Sequence, residues 1–460
     1  MSSRRPREVP VERDDEVLVD VVGLGDGPDG LTKFGDYVIF VPGVLPGEQA
    51  RVRVSSAARK FGRGDVLGIE QESQDRVDPE CMHFLTCGGC HWLHQSYPAQ
   101  LRHKQERLQR SLGFALGERC PEVAPTVPAP FPFGQRHKVA LHLRNGERGL
   151  EACFHRARSP ELVRIHECPA SEPRAFALAQ AAVQQLDGLR HRAWHPFLDP
   201  HGLLRSVLVR RTTIGESVLV LVARRPQIPG LERVMDALHA AGATTIVVNH
   251  NDGDLARLLG PHGEVVSGPP RIAERLCGTT YLISPNTFFQ TSPPMAEKLV
   301  QHVVDWLGPT TRDDVGDLYC GGGLLTLPLA ARARSAFGIE QNGAAIADAV
   351  AASEANLLRN VSWRTGSVAR WLGACGQGDL PRPQLVVMDP PRDGLEAGVV
   401  ERLRALQPRR LAYVSCEPKA LQRDLPALAE AGFVVRSLVP FDMFPGTALV
   451  ESLACLERAR

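Results

Sequence analysis

Asp317-Leu318-Tyr319-Cys320-Gly321-Gly322-Gly323 is the stretch that decides the fold of this 460-residue chain. It continues an apolar run and leads into the apolar stretch that starts at Leu324, so a buried strand passes through a glycine turn into a helix. Glycines there let the backbone approach a ligand closely. Glu340 lies twenty-three residues beyond Asp317, at the end of the next apolar run. An acid at that second strand tip can accept hydrogen bonds from ribose hydroxyls. The chain has no Gly-x-x-x-x-Gly-Lys-Ser/Thr sequence, which speaks against a nucleoside triphosphate. S-adenosylmethionine, a nucleoside cofactor that needs no phosphate grip, fits the turn better.

Further strands follow at regular spacing. One ends in Asp389-Pro390-Pro391-Arg392, another runs from Leu411 to Cys416, and two more cover 432–441 and 449–456. Short apolar strands alternating with helical stretches predict a parallel, doubly wound sheet. Prolines after a strand turn its tip over the crevice where open α/β sheets bind ligands, which makes Asp389 a candidate to hold a base edge or the cofactor. Cys416 reaches the same rim, although a cysteine at a strand end is ordinarily a small core residue. Glu451 stands among Leu449, Val450 and Leu453. Burying a carboxylate there is costly unless it is partnered or functional, and burial would move its pKa towards general-base range.

Upstream, residues 11–72 alternate apolar and polar in short runs separated by Gly/Pro turns, the pattern of a small antiparallel barrel. Its later half carries Arg51, Arg53, Arg59, Lys60 and Arg63, a set that could track a phosphate backbone. An amphipathic helix follows, with Tyr97, Leu101, Lys104, Leu108 and Leu112 at helical spacing. Residues 136–167 read as strand-rich, and 203–250 as strand, strand, helix, strand. The 53 basic residues, nearly all arginine, balance 52 acidic ones at a net charge of +1, so charge alone names no partner. Composition describes a multidomain globular chain, neither disordered nor membrane-spanning. With no apolar leader near Met1, the expectation is a soluble, cytoplasmic monomer.

Eleven cysteines in an intracellular chain point to metal ligation or a catalytic thiol rather than disulfides. Cys81, Cys87 and Cys90 lie within ten residues and Cys168 far downstream. Three close thiolates and a distant fourth can surround one tetrahedral metal or a cubane cluster. The spacing favours [4Fe-4S], with zinc kept open by His91 and His94.

Taken together, the chain resembles the RNA uridine C5 methyltransferases that make 5-methyluridine, specifically iron–sulfur members with a TRAM domain. The likeness runs from residue 11 to 460. It is carried by Ile39-Phe40-Val41-Pro42-Gly43 and Leu45-Pro46-Gly47-Glu48, the four cysteines, Ser284-Pro285, Phe289-Gln290, the glycine turn, Glu340, Asp389 to Arg392, Val414-Ser415-Cys416 and Asp442-Met443-Phe444-Pro445. The resemblance implies a Rossmann-like S-adenosylmethionine methyltransferase domain at 95–120 and 276–460. It also implies an OB-like TRAM β-barrel at 11–72 that binds RNA and a central α+β iron–sulfur domain at 73–94 and 121–275. It makes Gln290, Tyr319, Glu340 and Asp389 cofactor contacts, Cys416 the nucleophile, Glu451 the base, and Cys81, Cys87, Cys90 and Cys168 the ligands of a [4Fe-4S] cluster. The implied substrate is RNA, with ribosomal RNA favoured over transfer RNA, so a role in rRNA processing is expected. An RNA-binding or ribosome assembly factor that kept the fold and lost catalysis is the other class. The chain departs from the family pattern at four places: Glu417 follows the nucleophile where the family has Asn, and a carboxylate there would disfavour the thiolate; Gly446 to Leu449 replace a histidine-containing stretch; Leu324 stands for Asn in the glycine turn; and Ser367 is the fourth. At Ser367, Asp or Asn is the family's cofactor-side residue.

Overall fold

Alternation in the first seventy residues produces a closed five-stranded barrel in the computed structural model, which describes residues 9–25, 27–197, 199–253, 257–378 and 380–459. Its strands are β1 (Glu16–Leu24), β2 (Gly30–Phe34), β3 (Tyr37–Val41), β4 (Gln49–Ala57) and β5 (Gly62–Gln71), closed in the order β1-β2-β3-β5-β4. Val19, Val21, Ile39, Val41, Val52 and Val54 fill the interior. The barrel is not wholly antiparallel, because β3 and β5 pair parallel, Ile39 with Gly62. Gly64 lets β5 cross β4, since a Cβ there would lie 2.3 Å from Val52 Cγ1. Arg76 secures the barrel from outside by donating to both oxygens of the buried Glu48 at 2.5 and 2.8 Å.

Next comes α1 (Tyr97–Leu116), with proline in its first turn. The central unit then contains β6 (Lys138–Gly146), β7 (Gly149–His155), β8 (Leu162–Arg164), α2 (Pro173–Gly188), β9 (Leu204–Arg211), β10 (Ser217–Ala223), α3 (Met235–Ala240), β11 (Thr245–His250) and β12 (His262–Ser267). Its seven strands are ordered β12-β11-β10-β9-β6-β7-β8, all antiparallel neighbours except β10 and β11. Helix α2 covers one face through Phe176, Ala179, Val183 and Leu186. Those four residues recur at helical spacing between two strand-rich stretches. The opposite face shares a core with the hairpin β13 (Ile272–Leu276) and β14 (Thr279–Ile283): Leu208, Val220 and Val222 pack with Tyr281, Phe289 and Leu327.

The third unit consists of α4 (Pro293–Leu307), β15 (Asp314–Leu318), α5 (Thr326–Ala330), β16 (Ser335–Glu340), α6 (Gly343–Ala355), β17 (Val361–Thr365), α7 (Val368–Ala374), β18 (Leu385–Met388), α8 (Val399–Leu406), β19 (Arg410–Ser415), α9 (Pro418–Glu430), β20 (Phe433–Phe441) and β21 (Glu451–Arg458). Strand order is β17-β16-β15-β18-β19-β21-β20. The first five are parallel, as the alternation predicts, and β21 is inserted antiparallel between β19 and β20. One face is covered by α7, α8, α9 and α1, whose Leu108, Leu112 and Leu116 join the core with Leu421 and Leu425. The other is covered by α4 and α5. Val123 and Val127 bridge in parallel to Leu438 and Phe441 of β20. Among the described residues, no helix is long and apolar enough to cross a membrane.

Candidate active site

Sheet register assembles the site. Leu318 of β15 pairs with Ile339 of β16 and with Met388 of β18, so one step further on Tyr319, Glu340 and Asp389 share the C-terminal rim. On β19 and β21, Ser415 pairs with Ser452, and the next step in that antiparallel register sets Cys416 opposite Glu451. The antiparallel insertion of β21 is therefore what brings a residue near the end of the chain to the rim. The glycine turn is shaped for close approach, with φ of +51° at Gly321 and +85° at Gly323. Tyr319 also takes a left-handed φ, +66°, a strained conformation for an aromatic residue. Its hydroxyl accepts from the Glu396 amide at 3.1 Å. Glu340 accepts from the Gly321 amide at 3.2 Å and from the Asn342 amide at 2.8 Å.

Carboxylates dominate the electrostatics. Asp317 is buried in β15, where Thr326 Oγ1 donates to one oxygen at 2.6 Å while the other has no partner. Burial pushes its pKa up to about 8, with Asp389 and Glu340 adding repulsion. Asp389 is pushed up by burial and by Glu340. Glu451, only 4% exposed, is raised well above the usual carboxylate range by burial and then by Asp389, and its Oε1 has no hydrogen-bond partner. Four converging acids with two orphaned oxygens make a site that a bound cation would relieve. The Cys416 thiol is raised by burial, then by Glu451 and Asp389, and is opposed by the positive charge of the nearby Arg392. Arg392 is the residue the sequence reading missed. Its position in Asp389-Pro390-Pro391-Arg392 gave only proximity in sequence to Asp389. Glu417, expected to disfavour the thiolate, instead turns its carboxylate to cap α9 by accepting from the Lys419 amide at 3.3 Å. Ser367 likewise caps α7, and its hydroxyl donates to Glu396 at 2.9 Å. Gln290 sits half-buried in the loop before α4, and among the described residues no hydrogen bond joins it to the rim groups.

Comparison with known proteins places this arrangement. The sequence profile described as tRNA (uracil-5-)-methyltransferase matches residues 267–370 and 382–459, and that of the TRAM domain matches 10–67. An uncharacterised RNA methyltransferase of Thermosynechococcus vestitus is 33% identical over 93% of this chain and 95% of its own length. The chain belongs to the RNA uracil-C5 methyltransferase family. A second uncharacterised RNA methyltransferase, from Halalkalibacterium halodurans, is 31% identical over 98% of this chain and 99% of its own. The crystal structure of the Pyrococcus abyssi tRNA (uracil-54, C5)-methyltransferase in complex with S-adenosyl-L-homocysteine superposes with a TM-score of 0.76 at 27% identity. It covers 95% of this chain and 99% of that one.

Away from the rim of this methyltransferase, Cys81, Cys87, Cys90 and Cys168 all line one pocket, and none is in a disulfide. Burial raises the thiol pKa of Cys81, Cys87 and Cys90, and the neighbouring thiols of the set add to the rise. Arg136 donates to Cys90 Sγ at 3.4 Å and to Gly89 O at 3.0 Å. Among the described residues, no three His, Cys, Asp or Glu side chains are grouped to hold a single metal ion. His91 and His94, which kept zinc open, do not line the pocket. His94 is buried beside Arg76 and Glu48, and burial holds it down at about 4. The basic set on the barrel is also less free than its sequence suggested. Arg51 pairs with Glu70, Arg53 with Glu16 and Arg63 with Asp29. That leaves the exposed Arg59 and Lys60 beside Phe61 at the β4–β5 turn.

Proposed function

We propose that this methyltransferase makes 5-methyluridine in RNA, using S-adenosylmethionine, by covalent addition of Cys416 to uracil C6, and that its substrate is ribosomal RNA. The observation that carries the mechanism is the β19–β21 register, which opposes a thiol to a buried, orphaned carboxylate on the rim where Tyr319, Glu340 and Asp389 converge. Carbon 5 of uracil is too weakly nucleophilic to take a methyl group unaided. The Cys416 thiolate adds to C6 and moves an electron pair onto C5. The enolate attacks the sulfonium methyl group and S-adenosylhomocysteine leaves. Glu451 takes the proton from C5, the C6–S bond breaks, and the thiolate returns. A uridine in a helical stem must be turned out of the stack to present its ring face. Gln290, Tyr319, Glu340 and Asp389 are the proposed cofactor contacts, and a cationic sulfonium suits their acidic surroundings. Arg59 and Lys60, exposed at the β4–β5 turn, are proposed to contact phosphate.

The Pyrococcus abyssi relative is titled for tRNA uracil-54 and shares this architecture over nearly its whole length, which favours transfer RNA as the second reading. Incubation with unmodified ribosomal and transfer RNA plus labelled cofactor, followed by nucleoside mass spectrometry, separates the two. We expect 5-methyluridine in ribosomal RNA. Product in transfer RNA alone would move the substrate, and no product in either would remove the catalytic reading and leave an RNA-binding or assembly role.

The division into 11–72, 73–94 with 121–275, and 95–120 with 276–460 belongs to the same proposal, the packing of α1 on α9 supporting its last part. So do a cytoplasmic location and action as a monomer. The four pocket cysteines are proposed to hold a [4Fe-4S] cluster. Their number, their common pocket and the Arg136 hydrogen bond, which favours thiolate, all suit it. With every ligand supplied by the chain, the cluster's role would be to hold the fold. Anaerobically purified protein is expected to show visible iron–sulfur charge-transfer absorbance that Cys168→Ser abolishes. Colourless protein containing zinc would overturn the assignment.

A further inference from the structure

The loop that delivers Glu451, residues 442–450, is held on two sides by elements outside its own sheet. The amides of His91 and Trp92, directly after Cys90, both donate to Gly446 O at 2.8 and 2.9 Å. From α1, Gln100 Oε1 accepts from the Gly446 amide at 2.8 Å, while its Nε2 donates to Trp92 O at 3.1 Å and Gln95 O at 2.9 Å. Gln100 thus ties cysteine loop and Gly446 loop to each other as well as to itself. One turn further along α1, the fully buried Lys104 pairs with Asp442 and donates to Phe444 O at 3.1 Å. Gly446 is fitted to this clamp. Its φ is +74°, and a Cβ would lie 2.6 Å from Leu93 Cδ2 and 3.8 Å from Cys90 Cβ. A side chain here would be strained by the backbone and would push on the cysteine loop.

We infer that the cysteine loop and Gln100 act as a positioning brace on the Gly446 loop, setting Glu451 against Cys416, so that the cysteine site governs the elimination half of the reaction. The inference rests on the proposed role of Glu451 as base. Four residues separate Gly446 from Glu451, and β21 begins at Glu451. A shift of the loop therefore moves the carboxylate while leaving the glycine turn and Asp389, on other strands, in place. Loss of alignment at a reacting group costs up to about a hundredfold for a displacement of roughly 1 Å.

The test uses Gln100→Ala and Cys90→Ser in the full chain, with Glu451→Gln beside them. Hydrogen exchange at the amides of 446–450 should quicken in both brace variants, while that of β15 and the glycine turn stays as in the parent. In Gln100→Ala, turnover should fall roughly ten- to a hundredfold with S-adenosylmethionine affinity unchanged. A denaturant-resistant protein–RNA adduct should accumulate, because elimination slows more than addition. Unaltered exchange at 446–450 in Gln100→Ala overturns the brace. So does absence of adduct in Gln100→Ala where Glu451→Gln traps one, or a parallel loss of cofactor affinity. If Glu451→Gln traps nothing, the role of Glu451 fails, and the exchange measurement still decides whether the cysteine loop holds the Gly446 loop.

Discussion

Cys416→Ala is expected to lower 5-methyluridine formation by about four orders of magnitude or more, the scale on which removal of a covalent nucleophile is felt. That corresponds to about 5.4 kcal/mol of lost transition-state stabilisation. The substitution removes one sulfur at a half-buried strand tip, so thermal unfolding should be nearly unchanged, and S-adenosylmethionine should still bind. The pH dependence follows from the thiol's surroundings. Burial, Glu451 and Asp389 all raise its pKa, and Arg392 lowers it. Only the thiolate adds to C6, so the rate of adduct formation should climb as pH rises towards that elevated pKa. Removing the guanidinium with Arg392→Ala should displace the climb to still higher pH, while Arg392→Lys should restore part of it. Full turnover in Cys416→Ala would end the covalent mechanism. An unshifted profile in Arg392→Ala would end the role given to the guanidinium.

How much of this was readable in advance depended on distance along the chain. The glycine turn, Glu340 and Asp389 were legible because each lies at the end of an apolar run and parallel strands send their ends to one rim. Glu451 stood out for a different reason, as a carboxylate embedded in an apolar strand. What could not be read was the partner each rim residue meets. Arg392 on Cys416 is a contact between the tips of two strands, and the insertion of β21 between β19 and β20 is set by packing over both faces of the sheet. Barrel closure through a parallel β3–β5 pair and the pairing of Arg51 and Arg53 with acids on neighbouring strands were hidden for the same reason. The apparent conflict at Glu417 dissolved because a carboxylate at a helix start has a local use, capping α9, that turns it from the thiol.

Replacing Glu451 by Gln separates the two halves of the reaction. Glutamine keeps the shape of the side chain and loses the base, so addition and methyl transfer can proceed while the C5 proton stays in place. The product should be a methylated uridine joined to Cys416, seen as labelled RNA migrating with the protein under denaturing conditions, with free 5-methyluridine reduced by about 10²- to 10⁴-fold. The parent enzyme should show the same behaviour in milder form at low pH. Glu451 is raised by burial and by Asp389, and a base with a raised pKa is protonated, hence inactive, below that value and active above it. Adduct should therefore persist longest in acid and resolve faster as pH rises. A bound sulfonium near Asp389 and Glu451 would favour their ionised forms, which places the acid limb at lower pH with cofactor present than the buried, cofactor-free carboxyl would give. In Glu451→Gln the pH dependence of resolution should vanish, because the titrating group is gone. Turnover at the parent rate without adduct would show that another group removes the proton.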